Sequence, residues 1–169
     1  EINSTNQKIV DIDLLSVKNN RIEISEKVFD YLDFLSFDRD VDDLVAKIKE
    51  FIHLGADVSY KKNGLTALFW AAFYNQPAIV KLLLEHGANA NEFSDDDYYG
   101  DTPLHFLTRN TPCVTSESTV IKLLIEFGAD FEARNKDGNT PLVEAINHRC
   151  KEIPIQLIKL GANVNTKNS

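Results

Sequence analysis

Methionine is absent from this 169-residue chain, tryptophan occurs once and cysteine twice. Cys113 and Cys150 cannot staple a chain of this length into a disulfide scaffold, and with no CxxC or Cys/His spacing they frame no metal site. They read as free structural thiols in a reducing, cytoplasmic compartment. Long apolar runs are missing as well. Asp11 and Asp13 interrupt Ile9-Val10 and Leu14-Leu15 before a signal-peptide core can form, and no segment approaches the length of a membrane span. The start at Glu1 without any methionine suggests a piece of a longer protein. Basic charge is in deficit: 18 Lys and Arg stand against 26 Asp and Glu, a net charge of −8. That argues against a partner held mainly by its phosphates, so no nucleic-acid partner is expected. The deficit is uneven, with 13 acids and 7 bases in residues 1–60, 5 and 3 in residues 61–100, and 8 and 8 in residues 101–169. Apolar residues make up 43% of the chain, enough for a packed core.

Self-similarity organises that apolar content. Gly55-Ala56, Gly87-Ala88, Gly128-Ala129 and Gly161-Ala162 each follow a run of helical period, such as Val41, Leu44, Val45, Ile48 and Ile52, or Ile79, Val80, Leu82, Leu83 and Leu84. A glycine just past a helix can take the left-handed conformation that closes the last carbonyls, so these pairs are stop signals. Start signals recur too, at Gly64-Leu65-Thr66-Ala67-Leu68, Gly100-Asp101-Thr102-Pro103-Leu104 and Gly138-Asn139-Thr140-Pro141-Leu142. Threonine serves as N-cap, proline presets φ at the first helical position, and leucine opens the buried face. Each unit therefore reads as turn, short helix, turn, longer helix, glycine stop.

Asn63 to Ala72 followed by Ile79 to Asn91, and Asp137 to Leu142 with Leu157 to Asn165, resemble the ankyrin repeat family. The resemblance covers roughly residues 40–165. It implies an all-α solenoid of helix-turn-helix units with β-hairpin fingers along one edge, each unit burying its faces against its neighbours. About four units are expected: a degenerate capping repeat at 25–59, repeats at 60–97 and 98–134, and a C-terminal repeat at 135–169. The first lacks Thr-Pro-Leu; Ser25 before Val28, Phe29, Leu32 and Leu35 suits an inner helix, with Ile24 and Phe29 as a hydrophobic staple. Residues 1–24 form an extension in which Val10, Ile12, Leu14, Ile22 and Ile24 alternate around Asn19-Asn20, as in a small hairpin; a helix from Gln7 to Val17 fits nearly as well.

Two departures from the period stand out. Start threonine to stop glycine spans 21 residues in the second and fourth units but 26 in the third, which puts about five extra residues between Arg109 and Ser118. The finger from Glu92 to Asp101 is about three residues longer than its neighbours and reads Glu-Phe-Ser-Asp-Asp-Asp-Tyr-Tyr-Gly-Asp.

The family resemblance implies binding through a concave surface of finger tips and inner helices, with no cofactor and no enzymatic activity. In register with the start threonines, the groove positions are Leu65, Trp70, Phe73 and Tyr74, then Tyr98, Tyr99, Asp101, Phe106, Arg109 and Asn110, then Lys136, Asp137, Asn139, Glu144, Asn147 and His148. Rigid aromatics in a partly desolvated groove are the usual energetic anchors of an interface. Phe73, Tyr74, Tyr98 and Tyr99 are the expected anchors, whereas Trp70 and Phe106 suit either contact or core. Asp95-Asp96-Asp97 lacks the glycine and distal glutamate of a calcium loop. It reads either as a solvated finger tip or as a patch that, beside the tyrosines, attracts a partner with a basic or mixed basic-apolar surface.

His148 precedes Cys150 by two residues, which places the two side chains on different sides of a helix and makes a nucleophile-base pair a poor fit. His105, in Thr-Pro-Leu-His, matches the family residue that steadies the turn, and neither His53 nor His86 forms a metal pair. Asn91 and Asn165 sit where animal asparaginyl hydroxylases act on such repeats. Ile24-Ser-Glu-Lys-Val-Phe begins like an adaptor-binding box, but the later leucine spacing fails. The leading function is a non-enzymatic protein-protein interaction module. The alternative is a substrate-targeting or scaffolding segment of a larger enzyme, or of a bacterial or viral effector directed at a host cytosol.

Overall fold

The computed structural model describes residues 21–32, 41–95, 98–110, 118–148 and 151–165. They form helices α1 (Arg21–Leu32), α2 (Val41–His53), α3 (Ala67–Phe73), α4 (Pro77–Glu85), α5 (Pro103–Asn110), α6 (Thr119–Glu126), α7 (Pro141–Asn147) and α8 (Glu152–Leu160), with strands β1 (Lys61–Lys62) and β2 (Leu65–Thr66). In space α3 packs on α1 and α5, and α5 on α7, giving an inner row; α4 packs on α2 and α6 behind it. One apolar core runs through the units, including Ile48, Phe51, Leu68, Ile79, Leu83, Leu104, Ile121 and Leu157, all buried. Each such side chain removed from water contributes about 1.5–3 kcal/mol, so stability accrues along the stack.

The start and stop signals operate as their chemistry demands. The Thr140 hydroxyl accepts from the Val143 N–H and the Thr102 hydroxyl from the His105 N–H, whereas Thr66 is extended but makes no side-chain cap. Gly161 closes α8 with φ 118°, and the other three stop glycines share that left-handed sign. Two residues past each stop, Asp57, Asn89, Asp130 and Asn163 accept the backbone N–H two positions on, at 2.8–2.9 Å. These side chains set the same turn at the base of every finger. In the first finger Asn63 (φ 53°) and Gly64 (φ 80°) make the tight turn of a hairpin in which Lys61 faces Thr66. This sequence pair suits the twist of two antiparallel strands.

The N-terminal unit differs from expectation. Helix α1 begins at Arg21, so Ile22 and Ile24 lie on a helix and not a strand, and Ser25 sits in its second turn instead of capping it. Period-2 spacing over three residues does not separate strand from helix; burial of Ile24, Val28, Phe29, Tyr31 and Leu32 against the stack decides it. The hairpin or helix alternatives for residues 1–20, Leu35 and the two cysteines fall outside the described residues. No helix among the described residues is long and apolar enough to cross a membrane.

Candidate functional site

The inner helices carry two patches of opposite chemistry. The first is aromatic. Leu65, Phe69 and Phe106 are buried together beneath half-buried Trp70, Phe73 and Tyr98. Trp70 stacks on Tyr74 (centroids 6.2 Å, 24°), Phe73 meets Tyr74 edge to face at 4.9 Å, and Tyr98 meets Phe106 at 6.1 Å. Phe69 and Phe73 also touch Phe106, at 5.6 and 5.9 Å, so the second and third units share one ring cluster. Edge-to-face and offset pairs add about 0.5–1.5 kcal/mol each beyond burial and hold the rings in defined rotamers. The expected contact residue Leu65 is corrected: at 0% exposure it supports the rings and cannot reach a partner. Phe106 resolves to core at 7%, while Trp70, Phe73 and Tyr74 keep part of their surface.

The second patch is a buried polar clasp. Arg109 Nε lies 3.1 Å from Asp101 Oδ2, and its Nη2 lies 3.3 Å from Asp101 Oδ1 and 3.1 Å from Glu144 Oε1. Nε and Oδ2 are out of line for a hydrogen bond, so that contact is Coulombic. Asn135 Nδ2 donates to Asp101 Oδ1 (2.9 Å) and Glu144 Oε1 (3.0 Å), and Asn139 Nδ2 to Glu144 Oε1 (2.9 Å). His148 Nε2 stands 3.4 Å from Glu144 Oε2. Asp101 is thus also corrected: at 1% exposure its side chain ties the third unit to the fourth and cannot reach a partner, and Arg109, at 16%, shares in that tie. Burial pushes the Asp101 carboxyl up, against the Asn135 bond and the Arg109 charge. Glu144 is buried too, but donors from Asn139 and Asn135, with Arg109 and His148, hold its carboxyl below the usual value.

His105 completes the joint. Its Nδ1 accepts from Thr102, hydroxyl at 2.8 Å and N–H at 3.3 Å, leaving Nε2–H to donate to Asn139 O at 2.9 Å. Desolvation lowers its pKa, despite the Asn139 carbonyl and the nearby acids, which matches a neutral structural ring. A third tie comes from Gln156, whose amide accepts from Ser118 N–H and donates to Ser118 O, both at 2.8 Å, fixing the start of α6 after the lengthened turn.

Between the patches stands the long finger. Ser94, buried, closes its base: its N–H donates to Asp101 O (2.8 Å) and its hydroxyl accepts the Asp101 N–H and donates to Tyr98 O. Tyr99 takes φ 62°, a conformation uncommon for a large side chain, and the residue is 52% exposed with the Arg109 guanidinium 4.4 Å from its ring centroid. Asp95 is exposed yet paired: Lys61 Nζ binds Asp95 Oδ1 and Glu92 Oε1, each at 3.1 Å, and Phe93 O at 2.7 Å. Burial opposes the Lys61 charge, but the bonds to Asp95 and Glu92 outweigh it and hold the ammonium above its ordinary value. Asp96, Asp97 and the Asn110 side chain lie outside the described residues. An open cleft of about 660 Å³ beside Lys61 is lined by Asn89, Asn91, Glu92 and Phe93, with Asn91 already engaged by Gly128 O and Asp130 N–H. Among the described residues no group of three or more His, Cys, Asp or Glu could hold a metal.

Stacked helix pairs with fingers at one edge define a helical-repeat solenoid. The chain belongs to the ankyrin repeat family: the description "Ankyrin repeats (3 copies)" matches residues 41–116 and "Ankyrin repeat" matches residues 137–169. An ankyrin repeat protein of Fowlpox virus (strain NVSL) is 29% identical over 126 residues, 72% of this chain and 35% of its own length. One of Rickettsia felis is 37% identical over 107 residues, 59% of this chain and 44% of its own. Neurogenic locus notch homolog protein 1 of Homo sapiens is 36% identical over 128 residues, 73% of this chain but 5% of its own. The chain therefore spans less than half the length of each of these relatives. The family is one of protein-interaction modules, generally without catalytic activity.

Proposed function

We propose that the chain binds a partner polypeptide on its concave face, with Trp70, Phe73, Tyr74 and Tyr98 as the apolar platform and Tyr99 as the finger-tip contact. The observation that carries this reading is the ring cluster across the second and third units, backed by buried Leu65, Phe69 and Phe106 and left partly open to solvent. Its rings are immobilised by one another before a partner arrives, which lowers the ordering cost of binding. The clasp of Asp101, Arg109 and Glu144 serves this surface by fixing the fourth unit and the finger. Charge supports a partner with a basic or mixed basic-apolar surface: the chain carries −8 overall, and with Asp95 held by Lys61, the local attraction rests on Asp96 and Asp97. The partner is neither nucleic acid nor cofactor, and the setting is a reducing cytosol.

Panning a displayed peptide library against the chain tests this. Enriched peptides should carry apolar or aromatic residues flanked by Lys or Arg, and should lose at least about tenfold in affinity for a Trp70→Ala/Tyr74→Ala variant that still melts cooperatively. Peptides that bind the variant as well as the parent would refute the platform. A second reading, a targeting or scaffolding segment of a larger enzyme or of a host-directed effector, is favoured by the 35%, 44% and 5% shares of the viral, rickettsial and human relatives that the chain spans.

A further inference from the structure

Away from the concave face, the outer row brings two metal-ligating side chains together. His53 is the last residue of α2, and His86 is the C-cap of α4. They belong to different units, and no metal pair was expected of them. Packing of α4 on α2 sets the two rings edge to face, with centroids 6.1 Å apart and planes at 88°. Both residues are exposed. The other two histidines are engaged elsewhere, His105 by Thr102 and His148 beside Glu144.

The spacing suits one shared ion. A metal about 2.0–2.1 Å from an imidazole nitrogen lies about 3 Å from that ring's centroid, so two rings on one tetrahedral ion stand about 5–6 Å apart. A small rotation of one ring brings the observed pair to that separation. His86 already presents the lone pair that coordination needs. Leu82 O can only accept, and it lies 2.8 Å from His86 Nδ1, so that nitrogen carries the proton and Nε2 is left to coordinate. Ligating histidines are characteristically oriented in this way by a carbonyl on the second nitrogen. His53 makes no hydrogen bond among the described residues, so its ring is free to turn toward the same ion.

The setting favours a cation. Both rings stand at helix C-termini, where the last carbonyls carry roughly half a negative charge per helix. Lys47 and Lys81, on the same two helices, are paired with Glu50 at 3.1 Å and Glu85 at 3.8 Å, which offsets their charge and occupies those carboxylates. The ligand set is therefore two imidazoles, with water in the remaining positions. Zn²⁺, Ni²⁺ and Cu²⁺ accept such a set, whereas Mg²⁺ and Ca²⁺ take oxygen ligands.

We propose that His53 and His86 form a two-imidazole site for a divalent ion of the zinc, nickel or copper type, clipping the outer helix of the first unit to that of the second. The two ligands meet only in the folded stack, so the ion stabilises this joint in proportion to its occupancy.

Isothermal titration of the full chain with zinc chloride, at a pH of about 7.5 where both imidazoles are neutral, tests the proposal. The parent should bind one equivalent more than either His53→Gln or His86→Gln, a difference that separates this pair from zinc held by the cysteines. Magnesium chloride should show no such difference. Zinc at about ten times its dissociation constant should raise the parent's melting midpoint by about 3–6 °C, and this rise should be lost in both variants. Both side chains are exposed, so without metal the variants should melt with the parent, which separates a lost ligand from a lost fold. Equal zinc stoichiometry in parent and variants, no zinc uptake by the parent up to about 1 mM, or a parent melt that zinc leaves unmoved would each overturn the proposal.

Discussion

Among the described residues Arg109 supplies the guanidinium that meets both Asp101 and Glu144, and replacing it with methionine isolates what the clasp contributes. Methionine keeps much of the side-chain volume and removes the guanidinium. The Asp101 side chain is 1% exposed and Glu144 is 4% exposed, and both would remain bridged by Asn135 Nδ2 with no positive charge between them. Breaking a buried ion pair from one side costs about 3–5 kcal/mol. The lower end applies here, because Asn135 and Asn139 still donate and Arg109 is itself 16% exposed. With a urea dependence of about 2 kcal/mol per molar, a loss of about 3 kcal/mol moves the unfolding midpoint down by about 1.5 M. The assay is equilibrium unfolding followed by far-UV circular dichroism and by Trp70 fluorescence together. Adding Glu144→Gln removes the second buried charge while an amide oxygen still accepts from Asn135 and Asn139. The double variant should therefore lose about 1–3 kcal/mol less than the two single losses summed. An Arg109→Met midpoint within about 0.3 M of the parent, on the same dependence, would refute the clasp as a structural joint.

Other consequences follow from single residues. Tyr99→Gly relieves a left-handed strain of about 1 kcal/mol and forfeits a cation–π contact of about 0.5–1 kcal/mol, so unfolding should barely change while binding of library-selected peptides weakens; equal weakening of both would make Tyr99 a scaffold residue. Gly64→Ala and Gly87→Ala share left-handed strain, at φ +80° and +90°, of about 1 kcal/mol, but Gly64→Ala also places a Cβ 2.8 Å from Asp95 Cβ where Gly87→Ala meets nothing within 4 Å, so it should cost measurably more in chemical denaturation. Lowering the pH should destabilise the stack as it falls through about 6.5, because unfolded His105 takes up a proton that the folded, desolvated ring resists; His105→Gln should flatten that slope in chemical denaturation between about pH 7 and 5. Asp101 works the other way, its buried-charge penalty easing as the pH drops through its raised value, and Glu144 adds a further loss below the usual carboxylate range.

Much of the stack was legible because its signals are local. Thr140 with Pro141 starts α7 and Gly161 ends α8 through short-range backbone chemistry that no tertiary contact overrides. The turn-setting Asp57, Asn89, Asp130 and Asn163 were not read from the sequence, although they recur at a fixed two residues past each stop glycine. Phe73, Tyr74, Tyr98 and Tyr99 were expected as contacts from their register with the start threonines, with Trp70 and Phe106 open to contact or core; the ring contacts through Phe106 that join them cross from one unit to the next and were not legible locally. Nor was the clasp, although acid, base and acid at Asp101, Arg109 and Glu144 in adjoining groove positions offered a hint. Its burial depends on Asn135 and Asn139 arriving from the following finger, some 34 residues from Asp101 in the bond that matters. Likewise the start of α1, with Ile22 and Ile24, reads as the end of an alternating hairpin until the stack buries Ile24 and Val28 on one side of the helix.

The central claim, that the concave ring cluster is the partner-binding surface, is tested most directly by site-specific photo-crosslinking in cells that express the chain. A photoreactive phenylalanine analogue at Tyr74, in the ring cluster at the end of inner helix α3, is compared with one at Lys81, whose side chain is 59% exposed on outer helix α4. The account predicts a discrete protein adduct from position 74 and none from position 81. Adducts from position 81 alone, or the same adduct from both, would contradict it.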